Sequence, residues 1–355
     1  MNKEKYSVIC IILKVFRYAV VIGFIAITLM TLRNGQQFGS LPLGGLILIR
    51  GIAALILFIA LLVPGIILKK KLRVLTSHDD NVKTRKKHIG LKAVIVAISV
   101  IVTAFLFILF GQDYILFIPQ RGEGAEHLLE EDPHCQRKIY NTDGNTYIGW
   151  LWSPENSDDS VVIYFGGNAQ ISAYSVREWI TSNAEDMFGG HKVLYIDYPG
   201  YGESSGKPSE KAIFSMVDTV MPQLLSEYKK VYVMGFSIGT GAAVYVAANY
   251  NTEALILNAP YDNMTNIYND NLNIFHGPLK KLVHNRFTSD VYARSVTEPV
   301  LIIASEDDEV INFSHSRRLS KCFDNAEFIT LKGAGHNDII YLDETKEAIK
   351  KFLSC

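Results

Sequence analysis

The chain has 355 residues, with 35 lysines and arginines nearly balancing 36 aspartates and glutamates. The balance hides a split: residues 1–118 hold 15 basic and 4 acidic side chains, and the remainder holds 20 basic and 32 acidic. An acidic C-terminal two thirds argues against nucleic-acid binding, which needs a basic face, and 48% apolar content is high for a soluble protein.

Three long apolar runs fill the first third, at about 8–32, 46–68 and 93–112. A spanning helix needs about 20 apolar residues. The third run meets that unaided. The first two meet it if Lys14, Arg17 and Arg50 snorkel to the interface. The sequence therefore predicts three transmembrane helices. The loop between runs two and three is rich in cations, among them Lys69, Lys70, Lys71, Arg85, Lys86 and Lys87, whereas the first connection offers only Arg33. The positive-inside rule places the basic loop and the N-terminus in the cytoplasm and everything after about residue 113 outside.

From Pro133 the pattern becomes that of an α/β domain. Residues Arg137–Tyr140 and Thr146–Trp152 flank Asp143-Gly144 and read as a hairpin. Val161–Phe165 reads as a buried strand, followed by the turn Gly166–Gln170 and a helix to about Ser182. Lys192–Ile196 is the next strand, and Lys211–Tyr228 an amphipathic helix with Pro222 inside it. Further strands are expected at Val231–Met234, Ala254–Asn258, Val300–Ala304 and Glu327–Leu331, with helices at Thr240–Asn249 and Asp343–Ser354. Strands alternating with helices imply a mostly parallel sheet covered on both faces.

The pentapeptide Gly235-Phe236-Ser237-Ile238-Gly239 sits between such a strand and an Ala-rich helix. G-x-S-x-G in that context is a nucleophile elbow: a sharp turn that exposes the serine hydroxyl at the helix N-terminus. A serine hydroxyl becomes a nucleophile only when a base removes its proton and a third group orients the base. In proteins with this elbow the chain order is serine, acid, histidine. The acid is expected after the Val300–Ala304 strand, in Ser305-Glu306-Asp307-Asp308-Glu309-Val310. The histidine is expected in Gly333-Ala334-Gly335-His336-Asn337-Asp338, ahead of the closing helix. His276, His284 and His315 are read as surface or core histidines. The oxyanion hole is assigned to the N–H of Ile238 and the N–H of Asn168, with Ala169 the alternative to Asn168. Gly200-Tyr201-Gly202 lacks the spacing of a dinucleotide fingerprint, and Cys10, Cys135, Cys322 and Cys355 show neither CxxC nor metal-ligand spacing. No cofactor or metal is expected.

Together with Asp197-Tyr198-Pro199-Gly200-Tyr201-Gly202-Glu203-Ser204 and Asn258-Ala259-Pro260-Tyr261, these motifs resemble the α/β-hydrolase superfamily. The nearest branch is the membrane-associated serine hydrolases that include the depalmitoylase-type α/β-hydrolase-domain proteins. The resemblance covers about residues 135–355 and selects Asp308 over Asp307, since relatives carry Asp-Glu-x-Ile/Val after the acid strand. With the apolar runs, the sequence divides into a transmembrane region (1–118), a linker (119–134) and an α/β-hydrolase domain (135–355). Two departures stand out. Gly166 replaces the histidine that many relatives carry before the oxyanion glycine. The depalmitoylases lack three spans and work in the cytosol.

The expectation is a membrane-anchored serine hydrolase with the triad Ser237, His336 and Asp308. It would cleave a carboxylic ester or thioester of a lipid-like or acylated substrate, with membrane lipids as neighbours and no nucleic-acid partner. Apolar residues within 261–298, among them Ile267, Phe275 and Leu279, are candidates for an acyl pocket. The alternatives are a serine peptidase and a non-catalytic membrane binding module on the same fold.

Overall fold

The computed structural model describes residues 112–355 apart from 114, 115, 123, 143, 156 and 355. The three predicted spans fall, except for Gln112 at the end of the third, outside the described residues. Among the described residues no helix is long and apolar enough to cross a membrane.

Eight strands form one sheet: β1 (Cys135–Asn141), β2 (Thr146–Trp152), β3 (Ser160–Phe165), β4 (Lys192–Ile196), β5 (Lys230–Phe236), β6 (Leu255–Asn258), β7 (Val300–Ser305) and β8 (Ala326–Leu331). Their spatial order is β1-β2-β4-β3-β5-β6-β7-β8. β2 pairs antiparallel with both β1 and β4, and every later pairing is parallel. The helices are α1 (Ala125–Glu130), α2 (Ser172–Ser182), α3 (Glu210–Glu227), α4 (Gly239–Asn249), α5 (Met264–Leu272), α6 (Phe313–Ser320) and α7 (Asp343–Leu353), with short single turns between some of them.

A parallel strand is covered on both faces, so its sequence is apolar without alternation. β3 is buried at all six positions and β7 at all six, as the runs Val161–Phe165 and Val300–Ala304 require. Alternate residues feed two cores. Ile163, Val233, Leu257 and Ile302 pack with Val217 and Val220 of α3 and with Ala243 and Val246 of α4. Tyr164, Met234, Ile256 and Ile303 pack on the other face with Val176 and Trp179 of α2 and with Ile349 and Leu353 of α7. α3 buries Ile213, Met216, Val217, Val220, Met221 and Leu224, one stripe of a 3.6-residue period. It starts where Ser209 accepts a hydrogen bond from Ala212 N–H at 3.1 Å.

The segment ahead of β1 is part of this body, since the compact unit runs from Asp113 to Cys355. Phe117 is buried edge-on against Phe287, with ring centroids 6.4 Å apart. Gln120 C=O accepts from Gly202 N–H at 2.7 Å, and Leu129 of α1 enters the second core. Two apolar side chains 12 positions apart thus pin a stretch whose Gly122 and Gly124 suggest a loose tether.

Candidate active site

The elbow joins β5 to α4. Ser237 has φ 53°, the left-handed region that a residue with a Cβ occupies only when its surroundings insist. Those surroundings are visible. Ser237 N–H donates to Asn258 C=O at 3.0 Å, and Thr240 Oγ1 donates to Ser237 C=O at 2.6 Å. Helix and strand close so tightly that a Cβ on Gly239 would lie 2.1 Å from Phe165 O, and one on Gly235 2.8 Å from the Ala243 methyl. Both glycines are demanded by the close approach.

The turn delivers Ser237 Oγ to His336 Nε2 at 2.8 Å, and His336 Nδ1 lies 2.7 Å from Asp308 Oδ2. These partners assign the tautomer: Nδ1–H donates to Asp308, and Nε2 receives the serine hydroxyl. The other Asp308 oxygen accepts from Val310 N–H at 2.8 Å and Ile311 N–H at 2.7 Å, which fixes the carboxylate plane. The His336 ring lies 5.2 Å from the Phe236 ring, and its backbone N–H donates to Glu309 Oε2 at 3.0 Å.

The four consecutive acids after β7 make different contacts. Glu306 faces Lys332 at 3.8 Å, Asp307 accepts from Gly333 N–H at 2.6 Å, Asp308 holds the His336 ring and Glu309 holds the His336 backbone. Asp307 therefore braces the histidine loop from outside the triad position.

On the facing loop, Gly167 N–H donates to Gln170 Oε1 at 2.7 Å and Ala169 N–H to Asn168 Oδ1 at 3.1 Å. Asn168 N–H and Ile238 N–H take no hydrogen-bond acceptor among the described residues, as an oxyanion hole requires. The glycine at 166 has its own reason. A Cβ there would lie 1.7 Å from Tyr195 Oη, so the tyrosine of β4 fills the space a side chain at 166 would need.

The other histidines lie elsewhere. His276 Nε2 meets Asn273 Oδ1 at 2.8 Å on the surface. His284 lines a cavity of about 540 Å³ with Asp113, Glu210, Phe214 and Asp218, and that cavity touches no triad residue. His315 is buried, with Nδ1 at 2.7 Å from Asp262 and Nε2 at 2.7 Å from Asp270. Arg318 Nε also donates to Asp262 at 2.6 Å. These hydrogen bonds hold the Asp262 carboxyl well below the usual carboxylate range, against the opposing effect of burial. The sequence reading missed this network, which joins residues up to 56 positions apart.

A family model for the alpha/beta hydrolase fold matches residues 160–274. This part of the chain is thus similar to the α/β-hydrolase superfamily. It is 36% identical over 167 residues to alpha/beta hydrolase domain-containing protein 17B of Xenopus laevis, covering 46% of this chain and 56% of that protein. It is also 36% identical over 167 residues to the human protein 17C, covering 46% of this chain and 49% of that one. The match thus spans about half the length of these curated relatives. Among solved structures, the Pyrococcus furiosus esterase Pf2001 aligns over 66% of this chain and 98% of its own, with TM-score 0.50 and 18% identity, a likeness of fold. The fold agrees with that similarity: the sheet is parallel beyond the antiparallel β2, and Ser237, Asp308 and His336 gather at strand C-terminal ends.

Proposed function

We propose that this chain is a membrane-anchored serine hydrolase that cleaves a carboxylic ester or thioester of an acylated or lipid-like substrate. The observation that carries the reading is the line from Ser237 Oγ through His336 to Asp308, at 2.8 and 2.7 Å. Ser237 Oγ attacks the acyl carbon as its proton passes to His336 Nε2, and Asp308 stabilises the imidazolium that forms. The negative charge on the carbonyl oxygen is received by Ile238 N–H, at the start of α4, and Asn168 N–H. Collapse expels the alcohol or thiol with the proton from His336. Water, activated by the same ring, then releases the acid and restores Ser237. No cofactor takes part in this cycle.

The finer parts of the proposal rest on sequence. The three apolar runs support anchoring, and the cation-rich loop supports an extracytoplasmic hydrolase domain. The depalmitoylase-type resemblance supports an acylated substrate. Between β6 and β7, Met264 and Phe275 are buried and suit an acyl slot, whereas Ile274 and Leu279 are exposed and suit contact with a lipid surface. The test is kcat/KM for p-nitrophenyl esters of increasing chain length, with full-length protein in liposomes. Rising kcat/KM from two-carbon to long-chain esters is the expected result, and a preference for two-carbon esters overturns the lipid reading. Protease added to intact cells, or to spheroplasts, should reach the domain. Protection until permeabilisation reverses the topology.

A further inference from the structure

The oxyanion loop does not hold itself. Ala169 has φ 66°, a left-handed conformation that an alanine keeps only under external constraint. The constraint comes through the Asn168 side chain. Its Oδ1 accepts from Ile118 N–H at 2.9 Å, from Tyr201 Oη at 2.8 Å and from Ala169 N–H at 3.1 Å. Its Nδ2 donates to Leu116 C=O at 2.5 Å. Three donors at one end and a carbonyl at the other leave the amide a single orientation. Three of these four bonds come from outside the loop, two of them from backbone 50 and 52 residues earlier. Ile118 N–H is shared with Tyr201 Oη at 3.0 Å, so segment, tyrosine and amide close a ring of hydrogen bonds. The segment is itself anchored, by Phe117 in the core and by Gln120 C=O on Gly202 N–H. Tyr198 Oη adds a second brace on the loop, donating to Gly166 C=O at 2.7 Å.

We propose that the Asn168 side chain is a positioning residue through which the segment Leu116–Gln120 and Tyr201 hold the oxyanion loop in its working shape. The inference rests on the hydrolase reading above, and it adds that the chain entering the domain sets the strength of the oxyanion hole. Donors help an oxyanion only when they need no reorganisation at the moment of reaction. A loop freed from the segment would still bind substrate and would lose stabilisation of the tetrahedral intermediate.

The test uses full-length protein in detergent micelles and a soluble short-chain ester. Asn168→Ala removes the pin, and Tyr201→Phe removes one donor at constant volume. Ile118→Pro removes the segment's own N–H at a residue already held extended by Pro119. All three should lower kcat, Asn168→Ala by about ten- to a hundredfold, a fraction of what losing an oxyanion donor costs. KM should stay within about twofold. The Ki of an alkyl boronic acid, whose tetrahedral adduct puts an oxygen in the hole, should rise by the same factor as kcat falls, since only transition-state binding is lost. A kcat within twofold of wild type in Asn168→Ala and Tyr201→Phe overturns the inference. So does a fall in kcat with the boronate Ki unchanged. Failure of the parent reading looks different: Ser237→Ala would then hydrolyse the ester at the wild-type rate, and both proposals would fall together.

Discussion

Among the described residues, two clusters of serine, histidine and aspartate lie one at each end of the sheet. Ser237, His336 and Asp308 meet at the C-terminal ends of the strands. Ser160, His191 and Asp158 meet at the N-terminal ends, where Ser160 opens β3 and His191 precedes β4. In the second cluster Ser160 Oγ lies in hydrogen-bond contact with both Asp158 and His191, and His191 Nε2 faces Leu353 C=O at 3.2 Å. The residue types match and the chemistry does not. Ser160 Oγ donates to Asp158, and this hydrogen bond lowers the Asp158 carboxyl from its ordinary value. With that hydroxyl directed at the carboxylate, Ser160 lacks the serine-to-histidine donation that Ser237 makes. Ser160 is also fully buried, at the start of extended strand β3. Ser237 has left-handed backbone, its own histidine as sole base and N–H donors nearby. Place in the sheet, more than composition, sets the two serines apart.

The largest effects test that contrast at its centre. Ser237→Ala should lower kcat by roughly 10⁴–10⁶-fold and abolish fluorophosphonate labelling, since the triad acts as a unit. Labelling that persists at the wild-type rate, mapped to Ser160 by mass spectrometry, would invert the comparison. Asp308→Asn should cost about 10⁴ in kcat, because the amide favours the wrong histidine tautomer. Asp307→Asn, which touches only the Gly333 N–H, should leave kcat within a fewfold. If the neighbours exchange effects, the orienting acid is Asp307.

These assignments show how much was legible in advance. β4 was readable to the residue, and β3, β5 and β7 nearly so, because buried parallel strands are unbroken apolar runs. The elbow and His336 carried their own local signals, small residues around one reactive group. The choice between Asp307 and Asp308 came from the resemblance and not from residue chemistry, since four acids stand in a row. In the fold it is made by Val310 and Ile311 N–H groups that turn one carboxylate inward. The Asn168 side-chain pin, the Ser160 cluster and the His315 network join residues from 31 to 56 positions apart, and no periodicity announces such contacts. α1, at six residues, was too short to show a helical period.

The two ends of the sheet should also respond oppositely to pH. Asp197, at the C-terminal end of β4, is buried, and desolvation pushes its carboxyl up to about 7 despite the hydrogen bond from Ser172 N–H at 2.6 Å. The folded state then binds more protons than the unfolded one between about pH 4 and 7, so this group's contribution to stability falls as pH rises through that window. Three pH units correspond to about 4 kcal/mol at most. Asp158 has the opposite sign: its folded value lies below the unfolded one, so its contribution is present above the unfolded value and is lost as pH falls. Urea unfolding against pH should show Asp197→Asn flattening the decline and exceeding wild-type stability above pH 7. Asp158→Asn should flatten the acid limb alone. An unchanged slope in Asp197→Asn would mean that Asp197 stays ionised when buried.

The smallest expected effect closes the comparison from its inert side. Ser160→Ala removes the hydroxyl that bridges Asp158 and His191, whose Oδ1 and Nδ1 lie 3.6 Å apart. β3 keeps its pairing with β5 there, since Ser160 opposes Lys230 through backbone alone. What is lost is one hydrogen-bonded group in a site with two remaining partners, a net cost of about 1 kcal/mol. The expected outcome is a melting temperature lower by a few degrees at most, with kcat and fluorophosphonate labelling within twofold of wild type. A kcat loss beyond tenfold at unchanged stability would mean that the far end of the sheet takes part in the reaction. Ser160 and Ser237 would then have to be treated as two halves of one machine, and the argument from place in the sheet would fail.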